Sequence, residues 1–136
     1  MADDPAPYQP LRPGRAWQRR AASFGHAVRG VAGALRSELH LQLHAAATVV
    51  VLGLGFYFRL SREEWALVAL AVAGVWAAEL FNTAIETLTD LVSPAYHPLA
   101  GRAKDIAAGA VLLAALGALA VGGLIFGPKV WALLMR

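Results

Sequence analysis

The residues most able to do chemistry lie in one short run, Glu79-Leu-Phe-Asn82-Thr-Ala-Ile-Glu86-Thr-Leu-Thr-Asp90, which follows a wholly uncharged stretch from Trp65 to Ala78. At roughly 100° per residue, Glu79, Asn82, Glu86 and Asp90 fall within about 80° of one helix face. A carboxylate near the middle of a bilayer costs on the order of 2.5–3.5 kcal/mol even on insertion scales, so such a stripe belongs against protein or a water-lined cavity and not against lipid. Two readings share the pattern. It could be a polar seam that only holds helices together, or a site.

The chemistry that uses these groups together with their neighbours is phosphate chemistry. Glu38 and Glu86, at the aqueous end of their segments, suit Mg²⁺, a hard ion that takes one or two carboxylates and completes its shell with phosphate oxygens. Lys104, near the start of a helix, suits phosphate charge, and the free amides of that helix start add to it. Glu79, set deeper among apolar side chains, is the carboxylate suited to accept the proton of a lipid alcohol. No GxxxxGK[ST] run and no kinase-type glycine loop is present, which excludes the usual nucleotide folds. A non-catalytic membrane subunit that carries protons on Glu79 or Glu86 is the rival reading. It leaves Asn82, Lys104, Asp105 and the basic N-terminal arm without a role.

The elements that must position these groups follow from composition. The chain has 136 residues, 58% hydrophobic and 15% charged, outside the usual soluble range and short enough for one domain. It has no cysteine, hence no disulfide framework and no thiolate chemistry. The net charge is +3, with Arg12, Arg15, Arg19, Arg20, Arg29 and Arg36 crowded ahead of the first apolar run. That crowding suits an anionic lipid surface; nucleic-acid binding is disfavoured because no groove-reading module accompanies it.

Residues 1 to about 15 hold four prolines and no apolar block, so they read as a mobile tail, with no secretory signal and no cleavage. From about 16 to 36, Trp17, Phe24, Val28, Val31 and Leu35 recur at helical intervals among arginines, the pattern of an amphipathic surface helix or of a soluble helix packed on the rest. A first crossing is expected at about 38–59, where His40 and His44 are four apart and could serve as metal ligands or as hydrogen-bonded histidines. Ser61 and Glu64 form a capping box that starts a second crossing over about 62–92, ending before Ser93-Pro94. A third is expected at about 98–127, stopped by Gly127-Pro128 and followed by a short tail, 128–136. Its small residues permit close helix approach. The N-terminal arm and the 93–105 loop share a side and hold eight of the twelve Lys/Arg, which marks that side as cytoplasmic. The fold class is therefore all-α integral membrane, a surface helix plus three transmembrane helices.

The run from Glu79 to Asp90, followed by Tyr96-His97-Pro-Leu-Ala-x-x-Ala-Lys104-Asp105-Ile-Ala-Ala-Gly-Ala-Val111-Leu, resembles the prokaryotic diacylglycerol kinase family, which includes the undecaprenol kinases. Phe24-x-His26-Ala-x-x-Gly30, then Glu38 with His44 beyond, resembles the family's entrance helix, so the likeness covers about residues 17 to 126. The resemblance implies a homotrimer in a prokaryotic inner membrane, transferring the γ-phosphoryl group of Mg-ATP to the hydroxyl of diacylglycerol or undecaprenol at sites shared between subunits. It implies Glu79 as catalytic base, Glu38 and Glu86 as metal ligands that also meet nucleotide, and Asn82, Asp90, Lys104 and Asp105 as groups that arrange phosphates and hydroxyl. Arg19, His26, Tyr96 and His97 fall where the family contacts nucleotide. His26 stands where the family usually has Tyr, and His40 where one branch often has Asn. The Asn82–Glu86 and Lys104–Val111 segments look closer to the undecaprenol kinase branch; the choice between the two lipids stays open.

Overall fold

The computed structural model describes the chain from Pro13 to Met135, with side chains described for Trp17 and from Arg20 onward. The expected tail therefore lies outside the described residues up to position 12. Every regular element among the described residues is helical: α1 (Pro13–Ser37), α2 (Leu39–Tyr57), α3 (Arg62–Val92) and α4 (Pro98–Leu134). The last three are long and apolar enough to cross a membrane. Two compact units can be distinguished, one ending at Gly33 and one running from Ala34 to the C-terminus.

In the first unit, α1 starts three residues earlier than the sequence pattern suggests, on Pro13, whose fixed φ suits a first helical position. Trp17, Phe24 and Val28 are exposed on it.

In the second unit, a single residue separates α1 from α2. Glu38 is extended, at φ −101° and ψ 115°, although its N–H still reaches the Ala34 carbonyl at 2.9 Å. Ser37 Oγ donates to Glu38 Oε1 at 3.0 Å, so the carboxylate is held at the break. The α2–α3 connection is equally economical. Leu60 N–H bonds the Gly55 carbonyl at 3.1 Å and Arg59 N–H the Phe56 carbonyl at 3.2 Å, the paired bonds of a Schellman ending. Arg59 takes the left-handed conformation, φ 53°, that glycine usually supplies there. Ser61 then caps α3: its Oγ accepts from Glu64 N–H at 3.2 Å while Glu64 Oε2 accepts from Ser61 N–H at 2.8 Å.

Helix α3 packs against both α2 and α4. A buried apolar cluster lies near the α2–α3 turn, where Leu60, Val68 and Ile125 are buried with Trp65, Phe58 and Phe126 around them. Gly55 is required here, because a Cβ would lie 2.6 Å from the Trp65 ring. Away from this cluster most large apolar side chains are exposed in the single chain, as expected of helices that meet lipid or another copy.

One boundary differs from the sequence expectation. Gly127-Pro128 does not end the last helix; α4 continues through Pro128 to Leu134. Proline removes one backbone donor and crowds the carbonyl four residues back, a defect that membrane helices tolerate when neighbours secure the segment. Two contacts do so: Phe126 packs on Phe58 with ring centroids 6.3 Å apart, and Lys129 Nζ pairs with Glu64 Oε1 at 2.9 Å, tying the end of α4 to the start of α3.

Candidate active site

Glu79 is the buried charged residue of the described chain, only 5% exposed. Burying a carboxylate is costly unless a hydrogen-bond donor meets it. Here the donor is on α2: His44 Nε2 lies 2.9 Å from Glu79 Oε1. One turn further along α3, Asn82 Nδ2 donates to Glu86 Oε1 at 2.9 Å. That bond fixes the amide and leaves Asn82 Oδ1 buried with no partner among the described residues, an acceptor available to a ligand.

These groups open on one cavity of about 430 Å³. Glu79, Asn82, Thr83 and Glu86 of α3 form one wall; Glu38 and His40, at the α1–α2 break and the start of α2, form another. The small side chains Ala108 and Val111 of α4 complete the lining. Among the described residues, three carboxylates and no Lys or Arg line this space. Its field therefore favours cations, and its donor set of carboxylate and amide oxygens is the type that Mg²⁺ takes. Among the described residues no group of three or more His, Cys, Asp or Glu could hold a metal by itself.

A second, larger space of about 620 Å³ lies between α2, α3 and α4 and is almost wholly apolar, bordered by Val51, Val72, Ala118, Gly122 and Phe126. His44 lines it too. The His44–Glu79 pair thus stands between the two spaces, His44 lining the apolar groove and Glu79 the acidic cavity.

The structure brings Glu38, Glu79, Asn82 and Glu86 together and leaves other expected site residues elsewhere. Asp90 is one turn beyond Glu86, and Lys104 one turn before Ala108; the two meet each other at 2.5 Å, as a separate layer outside the cavity lining. Asp105 is exposed. Tyr96 is 90% exposed on the loop before α4. His97 caps that helix, its Nδ1 accepting from Leu99 N–H at 3.2 Å. In the N-terminal unit His26 Nδ1 is 2.9 Å from Arg29 Nη2, and the Arg19 side chain lies outside the described residues. The two histidines offered as a metal pair are divided: His40 lines the acidic cavity, whereas His44 serves Glu79. Sequence reasoning did not single out Thr83, although it lies four residues after Glu79 and so on the same face. Nor did it find the His44–Glu79 bond, because periodicity gives the face of each helix but not which residues of two helices meet.

Residues 25–126 match the family described as prokaryotic diacylglycerol kinase. The chain is 48% identical over 107 residues to an undecaprenol kinase of Bacillus subtilis (strain 168), a match covering 79% of this chain and 87% of that protein. It is 38% identical over 138 residues to a diacylglycerol kinase of Synechocystis sp., covering 98% of this chain and 78% of the relative. A diacylglycerol kinase of Haemophilus influenzae is 29% identical over 105 residues, covering 77% and 86%. With a match over most of its length and with relatives that are kinases, this chain belongs to the prokaryotic diacylglycerol kinase family.

Proposed function

We propose that the protein is a membrane-embedded lipid kinase that moves the γ-phosphoryl group of ATP onto the hydroxyl of diacylglycerol or undecaprenol. The observation that carries this reading is that an apolar groove and an acidic cavity lie on either side of one bonded pair, His44 lining the groove and the buried Glu79 lining the cavity. A lipid chain lying in the groove brings its hydroxyl to Glu79, which takes the hydroxyl proton as the alcohol oxygen bonds to the γ-phosphorus and ADP leaves. Glu38 and Glu86 would hold Mg²⁺, with Asn82 Oδ1 beside them; the ion supplies charge neutralisation at phosphate oxygens. The greater likeness to an undecaprenol kinase, 48% against 38% or less for the named diacylglycerol kinases above, favours undecaprenol as the preferred lipid.

The family domain spans about residues 16–127, with residues 1 to about 15 and 128–136 as flanking tails. Its α1 lies on the membrane surface by the stripe Trp17, Phe24, Val28, Val31 and Leu35, and the cavity faces the cytoplasmic side of a prokaryotic inner membrane, where the Lys/Arg excess falls. The active unit is a homotrimer. Tyr96, His97, Lys104 and Asp105 do not line the cavity of their own chain; with Arg19 and His26 they are the groups expected to meet nucleotide at sites shared between copies. Sedimentation in detergent should give a mass of three chains; a monomer with full activity would contradict shared sites.

Filling the groove tests the reading directly. Gly122 lines the groove, and a Cβ there meets nothing within 4 Å, so Gly122→Leu adds bulk to the groove wall. It should raise KM for the lipid about tenfold, the scale set by a few displaced methylene contacts, with KM for ATP unchanged. An unaltered lipid KM would exclude the groove as the lipid's seat.

A further inference from the structure

We infer that His44 is a positioning residue for Glu79, fixing which carboxylate oxygen faces the substrate hydroxyl; the inference rests on the kinase reading above.

Glu79 has two oxygens and stands almost fully buried. His44 Nε2 is 2.9 Å from Oε1. An imidazole whose Nε2 carries the proton donates to that oxygen, which holds the carboxylate plane and leaves Oε2 as the oxygen for the alcohol proton. The imidazole also borders the apolar groove through which the lipid would arrive, so the bond sits where the chain meets the chemistry.

The bond is itself held in register. Thr48, one turn after His44, donates its Oγ1 proton to the His44 carbonyl at 2.7 Å and accepts from Trp76 Nε1 at 3.1 Å. Trp76 lies three residues before Glu79 on α3 and so on a neighbouring part of the same face. This second cross-link between α2 and α3, one turn from the first, sets the axial position at which His44 meets Glu79. In a buried polar network of this kind each partner orients the next.

The test compares His44→Leu, which keeps bulk and loses the donor, with His44→Gln, whose amide nitrogen can donate to Glu79 from nearly the same place. Steady-state phosphorylation of undecaprenol and diacylglycerol in mixed micelles is measured for each, with the wild type alongside. His44→Leu should lower kcat by roughly 10- to 100-fold, as loss of an orienting partner commonly does, with KM for ATP within about twofold of the wild type. His44→Gln should recover kcat to within about fivefold. Thr48→Val, nearly isosteric, provides a route if His44→Leu does not fold; it should lower kcat about threefold at unchanged ATP KM. Equal kcat for the wild type and His44→Leu overturns the inference while leaving the kinase reading intact. Equal losses in His44→Leu and His44→Gln also overturn it, by showing a packing role. A wild type that phosphorylates neither lipid instead overturns the kinase reading, and the inference falls with it.

Discussion

Glu79→Gln should lower kcat by about 10²–10⁴-fold, the range that a positioned general base contributes. The substitution is nearly isosteric. Its amide oxygen still accepts from His44 Nε2, so the α2–α3 contact at 2.9 Å is preserved in kind. What disappears is the capacity to take a proton and the charge of a buried carboxylate. Removing a buried charge relieves desolvation, so the melting temperature in detergent should stay level or rise while activity collapses. That opposition separates a chemical role from a structural one. If Glu79 only sealed a polar seam between helices, Gln would serve equally well and transfer would persist within about tenfold of the wild type.

The second large effect is expected at Glu86. Glu86→Gln keeps an oxygen for Asn82 Nδ2, whose bond to Glu86 Oε1 is 2.9 Å, and removes one of the three negative charges around the cavity. Transition-state charge stabilisation by a bound metal is worth several kcal/mol, so loss of one ligand should reduce kcat/KM by on the order of 10²-fold. The diagnostic readout is the Mg²⁺ concentration for half-maximal rate, which should rise well above that of the wild type. A reduced rate at an unchanged Mg²⁺ midpoint would assign Glu86 to another role. Glu79→Gln, by contrast, should leave that midpoint nearly where it is. The two variants thus divide the acidic face into a proton acceptor and a metal-holding group.

How much of the molecule is legible in the chain itself depends on whether the information is local. The limits of α3 are local: a capping box at Ser61 and a Ser93-Pro94 stop bound it, and both ends fall where the chain signals them. The polar face of α3 is local as well, since spacing alone sets Glu79, Asn82 and Glu86 on one side. The meeting of helices is not. His44 donating to Glu79, Thr48 bridging to Trp76, and Trp65 pressing on Gly55 each require the rotation and axial offset of α2 against α3. Pro128 shows the opposite error, a strong local stop signal outweighed by tertiary ties through Phe126 and Lys129. The Asp90–Lys104 pair lies between these cases. Both residues belong to the motif, but their partnership across the α3–α4 loop follows only from how the two helices pack.

The proposed mechanism centres on a buried carboxylate that would join a greasy alcohol to a water-borne nucleotide at the membrane edge. The most direct measurement gives the purified full-length protein, in mixed micelles with Mg²⁺, ATP labelled at the γ-phosphate together with undecaprenol in one reaction and diacylglycerol in another, and follows where the label goes. Label should enter the lipid phase as a phosphorylated alcohol. Label that stays in ATP, or appears only as inorganic phosphate with either lipid present, would contradict the mechanism.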